Sequence, residues 1–372
     1  MAGLEELETP CLVIDRGRVA ANAARLRAHL APLGVPLRLH VKTAKSPDVA
    51  ALVLGGAKAP ITVSTLKEAE QFFAAGYRDI LYAVGFEPHK LARAQALARR
   101  GAKLSLLVDS VEGARGIGCG ADGFPVLIEI DTDGHRAGLK PDATAQLVAT
   151  ARALEEGGCT AAGVMTHAGA SYNCASIAEI AAIADRERDG ALMAAAALRR
   201  AGFAAPVVSI GSTPTATYAR KLDGVTEVRA GVFVFFDLVM AGIDVCKQED
   251  IALSVLATVI GHRTDKGWIL VDAGWMAMSR DRGTARQRVD QGYGVVCDLD
   301  GRALPDLIMA DANQEHGIVA RRDGGTPPRL PVGTRLRIFP NHACATSAQH
   351  ERYHVVDGGR DVTAVWQRFS GW

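Results

Sequence analysis

Two textures of apolar and polar positions run along the chain. Up to about residue 245, short apolar runs alternate with segments of helical spacing. The runs lie at 37–41 (LRLHV), 61–65 (ITVST), 80–84 (ILYAV), 104–109 (LSLLVD), 126–131 (VLIEID), 161–167 (AAGVMTH), 207–211 (VVSIG) and 226–231 (TEVRAG). Between them stand helix-like stretches such as PDVAALVLGGA, LKEAEQFFAAG, HKLARAQALARRG and ATAQLVATARALEEGG. Several carry Lys or Arg late and stop on Gly, the usual end of a helix. Strands alternating with helices predict parallel strands joined by right-handed crossovers. Eight such units predict a (β/α)8 barrel. An open doubly wound sheet is the main alternative, but no GxGxxG follows a first strand.

Beyond residue 245 the texture changes. IALSVLATVIGH, GWILVDAG, RLRIFP and RYHVVDG read as strands separated by Gly, Asp and Pro turns, without long helical patterns. The N-terminal PCLVID also reads as a strand, followed by a helix over Arg16–Leu33 with Asp15 as its N-cap. Its spacing does not fit a barrel unit, so it is assigned to the second domain. The expected organisation is a barrel over 16–245 and a β-rich domain over 246–372 that includes 1–15.

Composition narrows the function. The chain has 372 residues, 48% apolar and 22% charged, with a net charge of +1. A balanced charge without basic or acidic tails argues against nucleic acid or a membrane surface as the main partner and suits a small-molecule enzyme. No apolar window is long enough for a membrane span, and the acidic start MAGLEELETP lacks a signal-peptide layout. Seven cysteines without a CxxC pair fit reduced thiols in a cytoplasm.

In such a barrel, functional residues sit at the C-terminal strand ends. Lys42 follows the first run, Asp109 ends the fourth, and Asp131, His135 and Arg136 follow the fifth. His167 and Tyr172 follow the sixth, Gly211, Ser212 and Thr213 the seventh, and Gly231 the eighth. A strand-end lysine is usually solvated, and a Gly loop often merely turns the chain. Together, though, GSTPT and RAG can offer backbone N–H groups where barrels often bind phosphate. A lysine beside a phosphate cradle points to pyridoxal 5'-phosphate, whose aldehyde joins an amine.

On these blocks the chain resembles the fold-type III pyridoxal-phosphate enzymes, alanine-racemase-like barrels followed by a β domain. Within them it is similar to the group of D-serine dehydratases, D-threonine aldolases and D-threo-3-hydroxyaspartate dehydratases. The resemblance runs through LETPCLVID, LHVKTAKS, ITVSTLKEAE, EIDTDGHRAG, THAGASY, GSTPT, EVRAGVFVFFD, VDAGWMAMSRD, NQEHG and PNHACAT. It implies that Lys42 is the Schiff-base lysine. It also implies that Gly211, Ser212, Thr213 and Gly231 bind the phosphate, that Val232 contacts the cofactor, that His167 and Tyr172 line it, and that Arg136 lies near its ring. His135, Asp131 and Asp109 are expected to be structural, and Asp272 and Gly274 to form a turn.

PNHACAT adds a metal signal. In an extended segment His342 and Cys344 would point the same way, and an imidazole with a thiolate suits Zn(II) or a similar borderline ion. An isolated HxC is a weak pattern. The resemblance implies a divalent metal here (Zn, Mn, Co or Ni), with HxC in the dehydratases where aldolases carry HxD. The implied activity is elimination of water from a D-3-hydroxy amino acid, with hydroxyaspartate favoured over serine and aldol cleavage as the alternative. A homodimer with active sites near its interface is expected. Arg280, Arg282 and Arg286 are candidates for a second substrate carboxylate or a solvated charge run. Glu315 and His316 are weaker candidates for the site.

Overall fold

The computed structural model describes residues 3–118 and 123–372; Met1, Ala2 and Cys119 lie outside the described residues. The chain opens with strand β1 (Cys11–Asp15) and helix α1 (Arg16–Leu30). The helical spacing that continues to Leu33 ends in a 3-10 turn at Ala31–Leu33.

Eight strands then form a closed parallel barrel: β2 (Leu37–His40), β3 (Ile61–Val63), β4 (Asp79–Tyr82), β5 (Lys103–Val108), β6 (Pro125–Ile130), β7 (Thr160–Thr166), β8 (Val207–Ile210) and β9 (Glu227–Ala230). Closure comes from β2 against β9, with Leu37 opposite Val228 and Leu39 opposite Ala230. The eight predicted runs are these eight strands. They are near-continuously apolar because helices cover their outer face while side chains fill the interior. Leu81, Leu107, Leu127, Ala162 and Met165 form one interior cluster.

The intervening helices are α2 (Pro47–Val53), α3 (Leu66–Ala74), α4 (Leu91–Arg99), α5 (Val111–Ile117), α6 (Thr144–Glu156), α7 (Ile177–Arg200) and α8 (Thr213–Tyr218). Thr65, Ser110, Ser176 and Ser212 each accept an amide hydrogen from the third residue onward, capping α3, α5, α7 and α8. Such caps fix where the chain leaves a strand end and enters a helix.

The remaining elements are α9 (Leu238–Gly242), β10 (Leu253–Arg263), β11 (Trp268–Val271), α10 (Trp275–Met278), β12 (Gly294–Cys297), β13 (Ala303–Ala312), β14 (Gly317–Arg321), β15 (Arg335–Pro340), α11 (Ala343–Ser347), β16 (Arg352–Val356) and β17 (Ala364–Gln367). The sheet order is β11-β14-β13-β12-β15-β10-β1-β16-β17, and β10 also pairs with β11. Strand β1 lies in this sheet, antiparallel to β10 and parallel to β16. Strands β12, β13, β14 and β17 are absent from the sequence reading. In β13 the short apolar run LIMA is flanked on both sides by polar or exposed positions.

The chain divides into two compact units, one made of 3–24 with 232–370 and the other of 25–231 with 371–372. Among the described residues no helix is long and apolar enough to cross a membrane.

Candidate active site

The parallel barrel brings the C-terminal ends of all its strands to one rim. Lys42 lies two residues past β2, half-buried in the turn 41–44. The turn is held by Val41 N–H donating to Thr62 O at 3.0 Å. The neighbouring Lys45 is committed elsewhere: its Nζ is 3.1 Å from Oε1 of the buried Glu68. The two lysines of the motif are thus separated by environment.

His40 ends β2 and hydrogen-bonds Ser64 Oγ through Nε2 at 3.0 Å. His167, just past β7, donates from Nδ1 to Gly211 O at 3.3 Å, and its ring centroid lies 6.2 Å from that of Tyr172. That bond places the proton on Nδ1 and leaves Nε2 as an acceptor in the neutral ring. Burial is the main reason both imidazoles are hard to protonate, and nearby positive charge adds to it. Lys42, Arg229 and Arg136 all depress His40, which falls well below 6.5. Lys42, Arg136 and Arg229 likewise help push His167 down to about 3. Three cations therefore act on the same two rings.

Arg229 points from β9 and is 3% exposed; it donates to Ser209 Oγ at 2.7 Å and to Thr166 O. Arg136 is the most solvated member, 54% exposed, with Nη2 3.6 Å from Glu129 Oε1. Its loop is built by carboxylates. Asp131 accepts the amides of Asp133 and Gly134 and pairs with Lys140, while Asp133 accepts the amides of His135 and Ala170. Asp131 thus shapes the loop, and His135 packs against Gly169. Asp109 is half-buried at the end of β5.

The glycines allow close approach. Gly211 has φ +128°, and a Cβ there would lie 2.4 Å from Arg229 O. A Cβ on Gly231 would lie 2.8 Å from His40 O and 3.2 Å from Thr43 Oγ1, so the loop after β9 packs directly on the lysine's turn. Val232 is buried at the start of a 3-10 turn, and Thr213 is buried with its carbonyl accepting from Thr217 Oγ1. The sequence reading expected the amides of GSTPT to be available for phosphate. Two of them are already used: Gly211 N–H donates to Glu187 and Ser212 N–H to Thr215 Oγ1. Ser212 Oγ caps α8 and bonds Ser171 Oγ at 2.9 Å. What fits an anionic phosphate ester at this rim is the set of cations together with the glycine gaps.

In the other unit, His342 is the N-cap of α11 and Cys344 lies in its first turn. The segment is not extended across both residues, so strand alternation is not what pairs them. The helical turn does it, and the Cys344 sulfur interacts with the imidazole. Asp281 Oδ2 accepts from His342 Nδ1 at 2.6 Å. Burial alone would lower the His342 pKa, but Cys344 and Asp281 outweigh it and push it up to about 11. A carboxylate on Nδ1 fixes the ring and presents Nε2, the usual arrangement behind a metal-binding imidazole. The buried Asp237 caps α9 and accepts Ala343 N–H at 2.9 Å, anchoring the segment between His342 and Cys344. Among the described residues no three His, Cys, Asp or Glu side chains converge as a ready metal cage. Thiolate and imidazole together suit a borderline divalent ion, with its other positions left to small ligands.

Other candidates separate clearly. Asp272 accepts from Thr258 N–H and Thr9 Oγ1 and joins β10 to the N-terminal segment. Glu315 and His316 are exposed in the β13–β14 turn. Arg282 pairs with Asp290 at 2.8 Å, Arg280 stacks over Trp275 at 4.7 Å, and Arg286 is exposed. Cys11, Cys159, Cys174, Cys246 and Cys297 form no disulfide. The sequence reading missed Arg229, Glu187, Asp237 and Asp281 as members of these sites. Its available signal was a charged residue inside an otherwise buried strand or helix stripe, which applies to Arg229 and Glu187.

Comparison with known proteins agrees along the chain. Residues 14–239 match the alanine racemase N-terminal domain, and 252–356 match the putative serine dehydratase domain. D-threo-3-hydroxyaspartate dehydratase of Delftia sp. (strain HT23) is 57% identical over 374 residues, 98% of each chain. A 3-hydroxy-D-aspartate aldolase of Paracoccus denitrificans (strain Pd 1222) is 28% identical over 97% of this chain and 91% of its own. A solved cysteine-to-alanine mutant of D-threo-3-hydroxyaspartate dehydratase, in the metal-free form, superposes with a TM-score of 0.97 at 56% identity, covering all of both chains. The chain belongs to the alanine racemase N-terminal domain family, the fold-type III pyridoxal-phosphate enzymes.

Proposed function

We propose that the chain is a pyridoxal-phosphate- and divalent-metal-dependent lyase that removes water from D-threo-3-hydroxyaspartate. D-serine is the simpler substrate of the same class. The observation that carries this is the 57% identity over 98% of the chain to a D-threo-3-hydroxyaspartate dehydratase. The Lys42 rim and the His342–Cys344–Asp281 group supply matching chemistry.

Lys42, His167, Tyr172, Arg136, Gly211, Ser212, Thr213, Gly231 and Val232 would hold the cofactor, and His342 and Cys344 the metal (Zn, Mn, Co or Ni). When bound, the cofactor takes up the electron pair left at Cα, and the metal draws electron density from the β-hydroxyl. Lys42 Nζ accepts the Cα proton. His167, held neutral with its proton on Nδ1, presents Nε2 without adding charge to a rim already rich in cations. Arg136 and Arg229 favour anionic groups there. Asp281 keeps the His342 ring oriented. Hydroxide leaves Cβ as the Cα proton is lost. The resulting free enamine takes up water and yields a 2-oxo acid and ammonia. We further propose a homodimer acting in the cytoplasm; sedimentation at micromolar concentration tests the dimer.

Aldol cleavage would use the same residues, and the 28% identity to an aldolase supports keeping it as the second reading. One assay separates the two. Incubation with D-threo-3-hydroxyaspartate should release ammonia and oxaloacetate. Release of glycine and glyoxylate instead would establish the aldolase.

A further inference from the structure

Helix α7 buries a stripe of Ile180, Ile183, Ala184, Ala191, Ala194 and Leu198 against the barrel. Glu187 falls on that stripe and is fully buried. A carboxylate in this position is costly unless donors surround it. Three do, all on the rim side. Oε1 accepts Ala168 N–H at 3.1 Å and Gly211 N–H at 2.9 Å, and Oε2 accepts Thr215 Oγ1–H at 2.8 Å. Ala168 belongs to the loop after β7, between His167 and Tyr172. Gly211 and Thr215 bracket Ser212 and Thr213 in the loop after β8. A single side chain from the outer helix therefore ties two rim loops together. Thr215 also receives Ser212 N–H, so the tie extends into the cap of α8.

We infer that Glu187 is a positioning residue: its buried carboxylate locks the loop bearing His167 and Tyr172 to the loop bearing Gly211–Thr213. The two loops thereby present one preset surface to a phosphate-bearing cofactor. This rests on the cofactor assignment proposed above. Packing alone does not account for the residue, because an apolar side chain of similar volume would fill the stripe without the desolvation cost. Such a side chain would leave the Ala168 and Gly211 amides unsatisfied.

The test uses the full-length apo-protein with two variants. Glu187→Met keeps length and volume but has no strong acceptor. Glu187→Gln keeps one oxygen for the two amides and removes the charge. Hydrogen exchange is followed in segments 166–173 and 210–218, with β5 and β6 as internal references, and pyridoxal 5'-phosphate is titrated by absorbance. In Glu187→Met, exchange in both segments should rise about tenfold or more and cofactor affinity should fall about tenfold, for the loss of three buried hydrogen bonds. The reference strands should not change. Glu187→Gln should recover most of both effects. The inference is overturned if Glu187→Met exchanges and binds like wild type, or if its exchange rises uniformly through the barrel. If Glu187→Met does not fold, Thr215→Val removes the Oε2 bond together with the Ser212 N–H bond to Thr215 Oγ1 and should loosen 210–218; wild-type exchange there also overturns the inference. Should wild type itself fail to bind pyridoxal 5'-phosphate, the cofactor assignment falls and the exchange data alone decide the loop tie.

Discussion

Replacing Asp281 with Asn isolates what the carboxylate does for His342. The wild-type contact is a 2.6 Å bond from Nδ1 to Oδ2. Hydrogen bonds between charged partners contribute about 1.5–3 kcal/mol, roughly twice the neutral value. Asn retains one carbonyl oxygen, so the geometry can survive while the charge is lost. The expected loss is the difference between charged and neutral bonds, about 1–2 kcal/mol, or roughly 5- to 30-fold in metal affinity. Mutating outer-shell partners of metal-binding histidines typically costs 10- to 100-fold, a range that overlaps this one. The assay is competition for Zn(II) or Mn(II) against a chromophoric chelator, on protein whose unfolding midpoint has been checked. Removing Asp281 should also lower the His342 pKa, since Asp281 is among the groups that raise it. Metal affinity within a factor of two of wild type would refute the reasoning. So would a loss equal to that of Cys344→Ala, because a supporting residue should matter less than a ligand.

Four further outcomes are expected. Borohydride reduction of the cofactor-loaded protein should label the peptide containing Lys42 and not Lys45, whose amine is paired with Glu68; mass spectrometry of the digest reads this out. Ser212→Ala should lower stability by about 0.5–2 kcal/mol in urea unfolding, because it removes the α8 cap. Gly231→Ala should weaken pyridoxal 5'-phosphate binding measurably in an absorbance titration, since its Cβ meets His40 O and Thr43 Oγ1 beside Lys42. For His167, the folded pKa near 3 lies below the unfolded value near 6.5, so the unfolded state binds the proton first. The apo-protein should therefore lose stability relative to His167→Gln as pH falls from 6.5, by up to about 2 kcal/mol at pH 5, and keep its full advantage above 6.5.

The barrel was legible because parallel strands are buried on both faces, so runs such as VLIEID stand out against helices with capped starts and Gly ends. Its rim was legible for the same reason: the residue after each run must lie there. The second unit was less so. Strand β13 (ALPDLIMADA) has polar, exposed positions and a register shift between Met309 and Asp311, which destroys the alternation that marks a strand. The His342–Cys344 pair was seen, but its local geometry was not. Nothing in NHACAT distinguishes an extended segment from a helix start, because the cap contact to Ala343 N–H comes from Asp237, far away in sequence. Asp281 was hidden inside SRDRGTAR, where an acidic residue among arginines reads as one member of a charge run.

Glu187 and Asp237 expose a common logic in the two units. Each is a buried carboxylate whose partners are backbone amides of a loop that carries the proposed chemistry. Burial pushes both pKa values upward, and the donors and neighbouring cations pull them back. An apolar residue could pack in either place, but it could not accept those hydrogens. The amides of Ala168, Gly211 and Ala343 would then be buried without partners, at about 1–3 kcal/mol each. The loops would have to move to recover water, and the residues they carry would move with them. Both buried carboxylates therefore serve position rather than proton transfer. They define where His167, Gly211, His342 and Cys344 can stand. A sequence reading that searches strand ends finds the latter set. To find the former, it must ask which charged residues interrupt an apolar stripe, as Glu187 does in α7.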